Sequence, residues 1–159
     1  MFLRLLESRH PEPEWMDDPN ADPEHLRKAL NTIRRINHLL GYTRTAVRYL
    51  DRFGRRWERG RTYRLIDLAT GSADLAEGIL DWADRRGHDV RVIGVDLHEG
   101  TLRASRRRVT DPRLTFLRAD ALHLPLPDGG VDYAFTSLFL HHLSDGQIVA
   151  ALREMSRVD

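Results

Sequence analysis

Cysteine is absent from the 159 residues. That excludes a disulfide framework, a thiol nucleophile and any cysteine-ligated metal, and it leaves core burial as the source of stability. No apolar run approaches the roughly 20 residues that a membrane span needs, and Met1 to Leu6 is too short and too soon broken by Arg4 to be a secretory signal. The expected location is the cytoplasm, with no membrane as partner. Lysine is nearly missing as well: of 25 basic residues only Lys28 is one, an arginine excess that reads as coding bias more than as nucleic-acid recognition. What is present, 41% hydrophobic and 31% charged residues, suits one domain with a single core. Collagen-like, mucin-like and wholly disordered chains are excluded.

The net charge of +1 hides a segregation along the chain. Residues 11–24 hold six acids, no base and four of the seven prolines, whereas residues 26–64 hold twelve bases against only Asp51 and Glu58. The basic stretch could attract an anionic partner, although a solvated helical face accounts for it as well. An extended acidic arm is expected over residues 1–22, anchored by Trp15 and Met16. A helical lid over residues 23–62 follows. Its first helix has Asp22 as N-cap and Pro23 at the first position, an apolar stripe of Leu26, Leu30, Ile33 and Leu40 broken by Asn37, and Gly41 as its end. A second helix runs from about Thr43 through Ala46, Val47, Leu50 and Phe53, with Gly54 to Gly60 closing it.

From residue 63 to 159 the period changes to short apolar runs alternating with helical stretches. Strands are expected near 65–69, 90–95, 114–117 and 131–137, with helices near 75–86, 101–109 and 145–157. That alternation means βαβ crossovers and a parallel sheet covered on both faces, an α/β fold.

A strand, a tight glycine turn and a helix put the helix's free amides beside a ligand at the strand's carboxyl end. Asp67-Leu68-Ala69-Thr70-Gly71-Ser72-Ala73 is such a turn, with one glycine where a dinucleotide fingerprint has three. Asp96 ends the second strand about 25 residues after Gly71, near the spacing at which a carboxylate accepts both hydroxyls of an adenosine ribose. Asp120 ends the third. Three successive strand ends thus carry an acid on one edge of the sheet. No His-Glu-x-x-His pairing suggests a metal site, and a serine-hydrolase elbow is missing.

The segments Leu65 to Ala76, Gly94 to Asp96, and above all Ala119-Asp120-Ala121-Leu122-His123-Leu124-Pro125-Leu126-Pro127-Asp128-Gly129-Gly130-Val131-Asp132 resemble the class I S-adenosylmethionine-dependent methyltransferases. The likeness is strongest to the ubiquinone/menaquinone C-methyltransferase-like group of small-molecule enzymes. Thr136 to Leu143 and Leu152 to Val158 share it, so the similar stretch runs from about 64 to 158. The resemblance implies a Rossmann-like sheet ordered 3-2-1-4 and S-adenosyl-L-methionine as cofactor. It implies that Asp96 holds the ribose, Asp120 the adenine amine, Leu97 and Leu122 the ring faces, with Ala121 beside them. Gly71, Ala69 and Thr70 would skirt the methionine part, Asp67 would orient its ammonium group, and Ser137 would meet the cofactor after the fourth strand. Tyr42 and Arg44 are candidates to close over the carboxylate. Ala73 departs from the pattern, standing where a third glycine is usual, so that its methyl group would either narrow the methionine site or pack against the sheet. His141, beside His142, is the candidate general base if the acceptor must lose a proton.

The family continues where Asp159 stands, through strands ordered 5-7-6. The fourth strand is therefore expected either to be covered by further chain or to pair with another molecule, and the 159-residue piece alone to have little activity. A small-molecule methyl acceptor is the expected partner. Two other readings remain open: a non-catalytic binding module built on the same fold, which Ala73 favours, and a nicotinamide-dependent oxidoreductase, which the single-glycine loop disfavours.

Overall fold

The computed structural model describes residues 15–18 and 20–159. Most of the acidic arm, residues 1–14 and 19, lies outside the described residues; within it Trp15–Asp17 form one 3-10 turn. Helix α1, Pro23–Leu40, starts as its sequence dictates: Asp22 Oδ1 accepts from the amides of Glu24 and His25 at 3.1 and 2.8 Å. Gly41 ends it in the left-handed conformation at φ 73°, its amide returning to Asn37 and His38 carbonyls, and the chain turns at once into α2, Tyr42–Gly54.

The two helices bury narrower stripes than their periodicity predicts. In α1 only Leu26 and Leu30 are fully covered, Ile33 and Asn37 are half-buried, and Leu40 is exposed. In α2 Leu50 and Gly54 are buried while Phe53 stands exposed with its ring 5.6 Å from Tyr133. α2 ends at Gly54, as expected, and that glycine is also buried. A Cβ there would lie 2.8 Å from the Trp82 ring, so only glycine lets the two surfaces meet.

The body is a four-stranded parallel sheet ordered β3-β2-β1-β4, as expected. Its elements are β1 (Thr62–Leu68), α3 (Asp74–Arg86), β2 (Asp89–Asp96), α4 (Glu99–Arg108), β3 (Leu114–Arg118), β4 (Tyr133–Thr136) and α5 (Asp145–Val158). In β1 residues 65–68 are all buried, the pattern of a central parallel strand covered on both faces. Leu65 and Tyr63 join Leu50, Trp57, Ile79, Trp82 and Val92 in one core layer, while Ile66 and Leu68 join Leu124, Val131 and Val158 in the other. β4 is shorter than expected at both ends. Before it, the Val131 amide goes to the carbonyl of Val158, and the Asp132 carboxylate rather than a backbone carbonyl takes the Arg64 amide of β1, so the ladder starts at Tyr133.

The long connection from β3 to β4 is pinned by α5. Arg157 donates to the carbonyls of Leu124 and Leu126 at 2.9 and 2.8 Å and to Asp128, while Glu154 accepts from the Leu124 amide. The Arg157 guanidinium and that amide hold the Glu154 carboxyl down to about 2. No described helix is long and apolar enough to cross a membrane.

Candidate functional site

All four strands point their carboxyl ends at one cleft of about 870 Å³, roofed by α1 and the start of α2. Every cofactor residue expected from the sequence borders it: Asp67, Ala69, Thr70, Gly71, Asp96, Leu97, Asp120, Ala121, Leu122 and Ser137. The loop after β1 is built by its own hydrogen bonds. The Thr70 amide donates to Val95 O at 2.8 Å, Ser105 Oγ donates to Gly71 O at 2.7 Å, and the Ala73 amide turns back to Thr70 O at 2.7 Å.

Three residues of that loop are left-handed: Ala69 at φ 53°, Gly71 at 53° and Ala73 at 62°. An alanine in this region costs about 1–2 kcal/mol, and such strain gathers where a fold is over-determined. The alternatives for the Ala73 methyl group resolve toward packing. Ala73 is fully buried within the core layer of Leu75, Ala76 and Ile79 and does not border the cleft.

The three acids differ in setting. Asp67 lies within β1, is 2% exposed, and accepts from Thr70 Oγ1 at 2.7 Å. Burial pushes its carboxyl up to about 7 against the opposing Thr70 bond, and the neighbouring Asp96 and Asp74 charges push the same way. Asp96 closes β2; its Oδ2 accepts from the Gly71 amide at 3.1 Å and its Oδ1 from the His98 amide at 2.9 Å. Asp120 sits two residues beyond β3, where its Oδ1 accepts from the Leu122 amide at 2.9 Å. One carboxylate therefore couples the first loop to the second strand, and another shapes the third loop.

The lid contributes Leu30, Ile33, Asn37, Tyr42 and Thr43, and the arm Met16. Asn37, the polar break in the α1 stripe, reaches Asp74 Oδ2 at 3.3 Å, tying the lid to the start of α3. Of the two expected anchors Met16 borders the cleft, whereas Trp15 is half-exposed. Tyr42 borders the cleft, but Arg44 faces a separate groove beside α3, since the two residues are two apart on a helix and point different ways. His141 is displaced in the same manner. Both histidines are exposed in the 3-10 turn Leu140–His142 with rings 4.1 Å apart, and it is His142 that borders the cleft.

Several wall residues were not singled out from the sequence. Leu138 takes φ 54° directly after Ser137, and Phe139, Leu143 and Gln147 line the same wall. His98 caps α4 through Nδ1 on the Thr101 amide and meets Asp18 O through Nε2 at 2.8 Å, joining the arm to the site. Among the described residues no group of three or more histidines and acids is placed to hold a metal.

Comparison with known proteins bears on the family and the fold. The methyltransferase domain model matches residues 65–158. A demethylmenaquinone methyltransferase of Roseiflexus sp. (strain RS-1) is 35% identical over 95 residues, covering 60% of this chain and 37% of that one. That of Staphylococcus saprophyticus is 27% identical over 154 residues, 90% and 61% respectively. The chain thus spans between 37% and 61% of these relatives' length. Among solved structures, an S-adenosylmethionine-dependent methyltransferase from Mesorhizobium loti is 27% identical with a TM-score of 0.52, over 72% of this chain and 47% of that one. The cyclase SpnF, also 27% identical, has a TM-score of 0.53 over 71% and 40%. With a match over more than half its length, the chain belongs to the methyltransferase domain family.

Proposed function

We propose that the protein is an S-adenosyl-L-methionine-dependent methyltransferase that acts on a small molecule. The observation that carries this reading is the convergence of Asp67, Asp96 and Asp120, each from a different strand end, on one cleft beside a left-handed glycine loop. The residues fit that cofactor. Asp67 is a buried acid on the cleft that feels the charges of Asp96 and Asp74, a setting that a cationic ligand relieves. When bound, the cofactor supplies a methyl group activated on a sulfonium centre. Asp96, fixed at the end of β2 by the Gly71 and His98 amides, accepts from the ribose hydroxyls. Asp120 accepts from the adenine amine, and Leu97 and Leu122 flank the ring. Ala69, Thr70 and Gly71 pass the methionine part, Asp67 faces its ammonium group, and Ser137 lies at the reacting end. Met16 of the arm and the lid's Leu30 and Ile33 exclude water from that end. Where the acceptor must lose a proton, His142 stands on the cleft in the role expected of His141.

Asp96→Ala should weaken S-adenosylmethionine binding by about 1.5–3 kcal/mol, the scale of lost charge-assisted hydrogen bonds, and Asp120→Ala by less. Calorimetric titration checks both, and an Asp96→Ala protein that binds as well as the parent rejects the reading. Mass spectrometry of metabolites incubated with the protein identifies the acceptor; a methylated RNA or protein would replace the small-molecule assignment. A second reading has its own support: the similar fold of the cyclase SpnF shows that this scaffold also serves other chemistry. Saturable cofactor binding without turnover would favour a binding module. We also infer that the outer edge of β4, which has no neighbouring strand among the described residues, pairs with a further strand. A monomer at all concentrations in sedimentation would remove a second copy as its source.

A further inference from the structure

The α1–α2 hairpin carries a surface that the cleft does not use. On α1 the face opposite the buried Leu26 and Leu30 holds Lys28, Arg35 and Leu39, all exposed. On α2 the face opposite Leu50 and Gly54 holds Arg48 and Arg52, with Tyr49 and Phe53 along its edge. The Arg52 guanidinium lies 5.1 Å from the Tyr49 ring centre. Six of the eleven exposed large hydrophobic residues among the described residues fall on this hairpin. They peak at its corner, where Leu39 is 83% and Leu40 61% exposed on one side of Gly41 and Tyr42 follows on the other.

The charge of this surface is mostly of one sign, the exception being Glu24, which holds Lys28 at 2.9 Å. The sole acid between residues 25 and 57 is Asp51, and it is engaged by Arg86 at 2.8 Å and by the Trp82 ring nitrogen at 3.0 Å. Arg35, Arg44, Arg48 and Arg52 are all exposed, and none has an ion pair among the described residues. An apolar tip continued along both amphipathic helices by exposed guanidinium groups matches a layer that is anionic at its surface and apolar just beneath. A nucleic-acid backbone would satisfy the arginines and leave the leucines in water. A helix corner is convex, and a fluid surface receives it without a matching groove.

We propose that the α1–α2 corner docks on an anionic lipid surface, Leu39 and Leu40 entering the headgroup layer while Arg35, Arg48 and Arg52 meet lipid phosphates. This revises the expectation of no membrane partner, which rested on the lack of a spanning run. Because Tyr42 belongs both to the corner and to the cleft wall, docking brings the cleft mouth to the lipid surface.

The test is co-sedimentation of the chain with vesicles of phosphatidylcholine alone and of equal parts phosphatidylcholine and phosphatidylglycerol. Binding is expected to the mixed vesicles, to fall at least about tenfold at high salt, and to be weak on neutral ones. Leu39→Asp with Leu40→Asp, and separately Arg48→Glu with Arg52→Glu, should each reduce it about tenfold or more while circular dichroism stays unchanged. No binding to mixed vesicles overturns the proposal. So does binding that neither pair of substitutions alters, or a leucine pair whose change merely dissolves a dimer and leaves vesicle binding intact. Equal loss of binding to single-stranded RNA and none to vesicles would assign the surface to nucleic acid instead. S-adenosylmethionine titration of the same variants reads the cofactor site separately, so failure of one reading does not imply failure of the other.

Discussion

Asp67 shows how one side chain ties stability to ligand. Its carboxyl ionises near 7 in the fold and near the ordinary 3.8 in the unfolded chain. Between these values the folded state holds a proton that the unfolded state has lost, so this group's contribution to stability declines as pH rises through the window. Asp67→Asn keeps the Thr70 partner and removes the ionisation. It should match the parent near pH 3 and exceed it by roughly 4 kcal/mol near pH 8, measured by urea unfolding. Binding of a cationic cofactor should respond in the opposite sense: the parent's affinity should fall about tenfold per unit as pH drops below about 7. That slope should vanish in Asp67→Asn along with most of the affinity. Ala73 poses a contest of smaller effects. Ala73→Gly would relieve about 1 kcal/mol of left-handed strain, while losing about 0.8 kcal/mol of methyl burial and adding roughly 0.5–1 kcal/mol of unfolded-chain entropy. The expected result is a stability change within about 1 kcal/mol and an unaltered cofactor affinity, because the methyl group faces the core.

Among the elements, the packing of α2 on α3 is the most constrained. A Cβ built on Gly78 would lie 1.9 Å from Thr43 Cγ2 and 3.9 Å from Thr43 Oγ1. Alanine at an inner helix position gains about 1 kcal/mol in propensity, but overpacking of this kind costs about 1–3 kcal/mol. Gly78→Ala should therefore be destabilised, and adding Thr43→Ser, which deletes the offending methyl group, should restore stability; chemical denaturation of the single and double variants forms the cycle. Nothing in the sequence marks Gly78, because a glycine within a helical pattern does not announce what lies against it. The elements themselves were legible. Period and breakers located α3, β2 and α5 to within two residues, and the caps Asp22 and Gly41 acted as read. The acids that border the cleft were legible for the same reason, since strand ends fix their side of the sheet. What periodicity could not supply was which neighbour each face meets. Phe53 and Leu40 fit the helical stripe yet find no cover, and His142 rather than His141 reaches the cleft through the phase of a three-residue turn.

At the scale of the whole molecule, stability is distributed by how many neighbours each strand has. β1 pairs with β2 over seven residues and with β4 over four, and β2 pairs with β3 on its other side, so the two inner strands are closed on both edges. β3 and β4 are each bonded along one edge among the described residues, and all four residues of β4 are only half-buried. An amide opens by the cheapest route available to it, and inner strands must wait for larger openings than outer ones. Hydrogen exchange should therefore be slowest at Leu65 to Leu68 and Val92 to Val95 and faster in β4, with the lid faster still, since α1 buries only Leu26 and Leu30 fully. Saturating S-adenosylmethionine should slow exchange most in the loop 69–73 and at Leu122, whose amide completes the Asp120 turn, and much less in the α1–α2 corner. Protection spread evenly over all four strands would contradict this ordering. Cofactor-induced protection confined to the corner would place the ligand away from the strand ends.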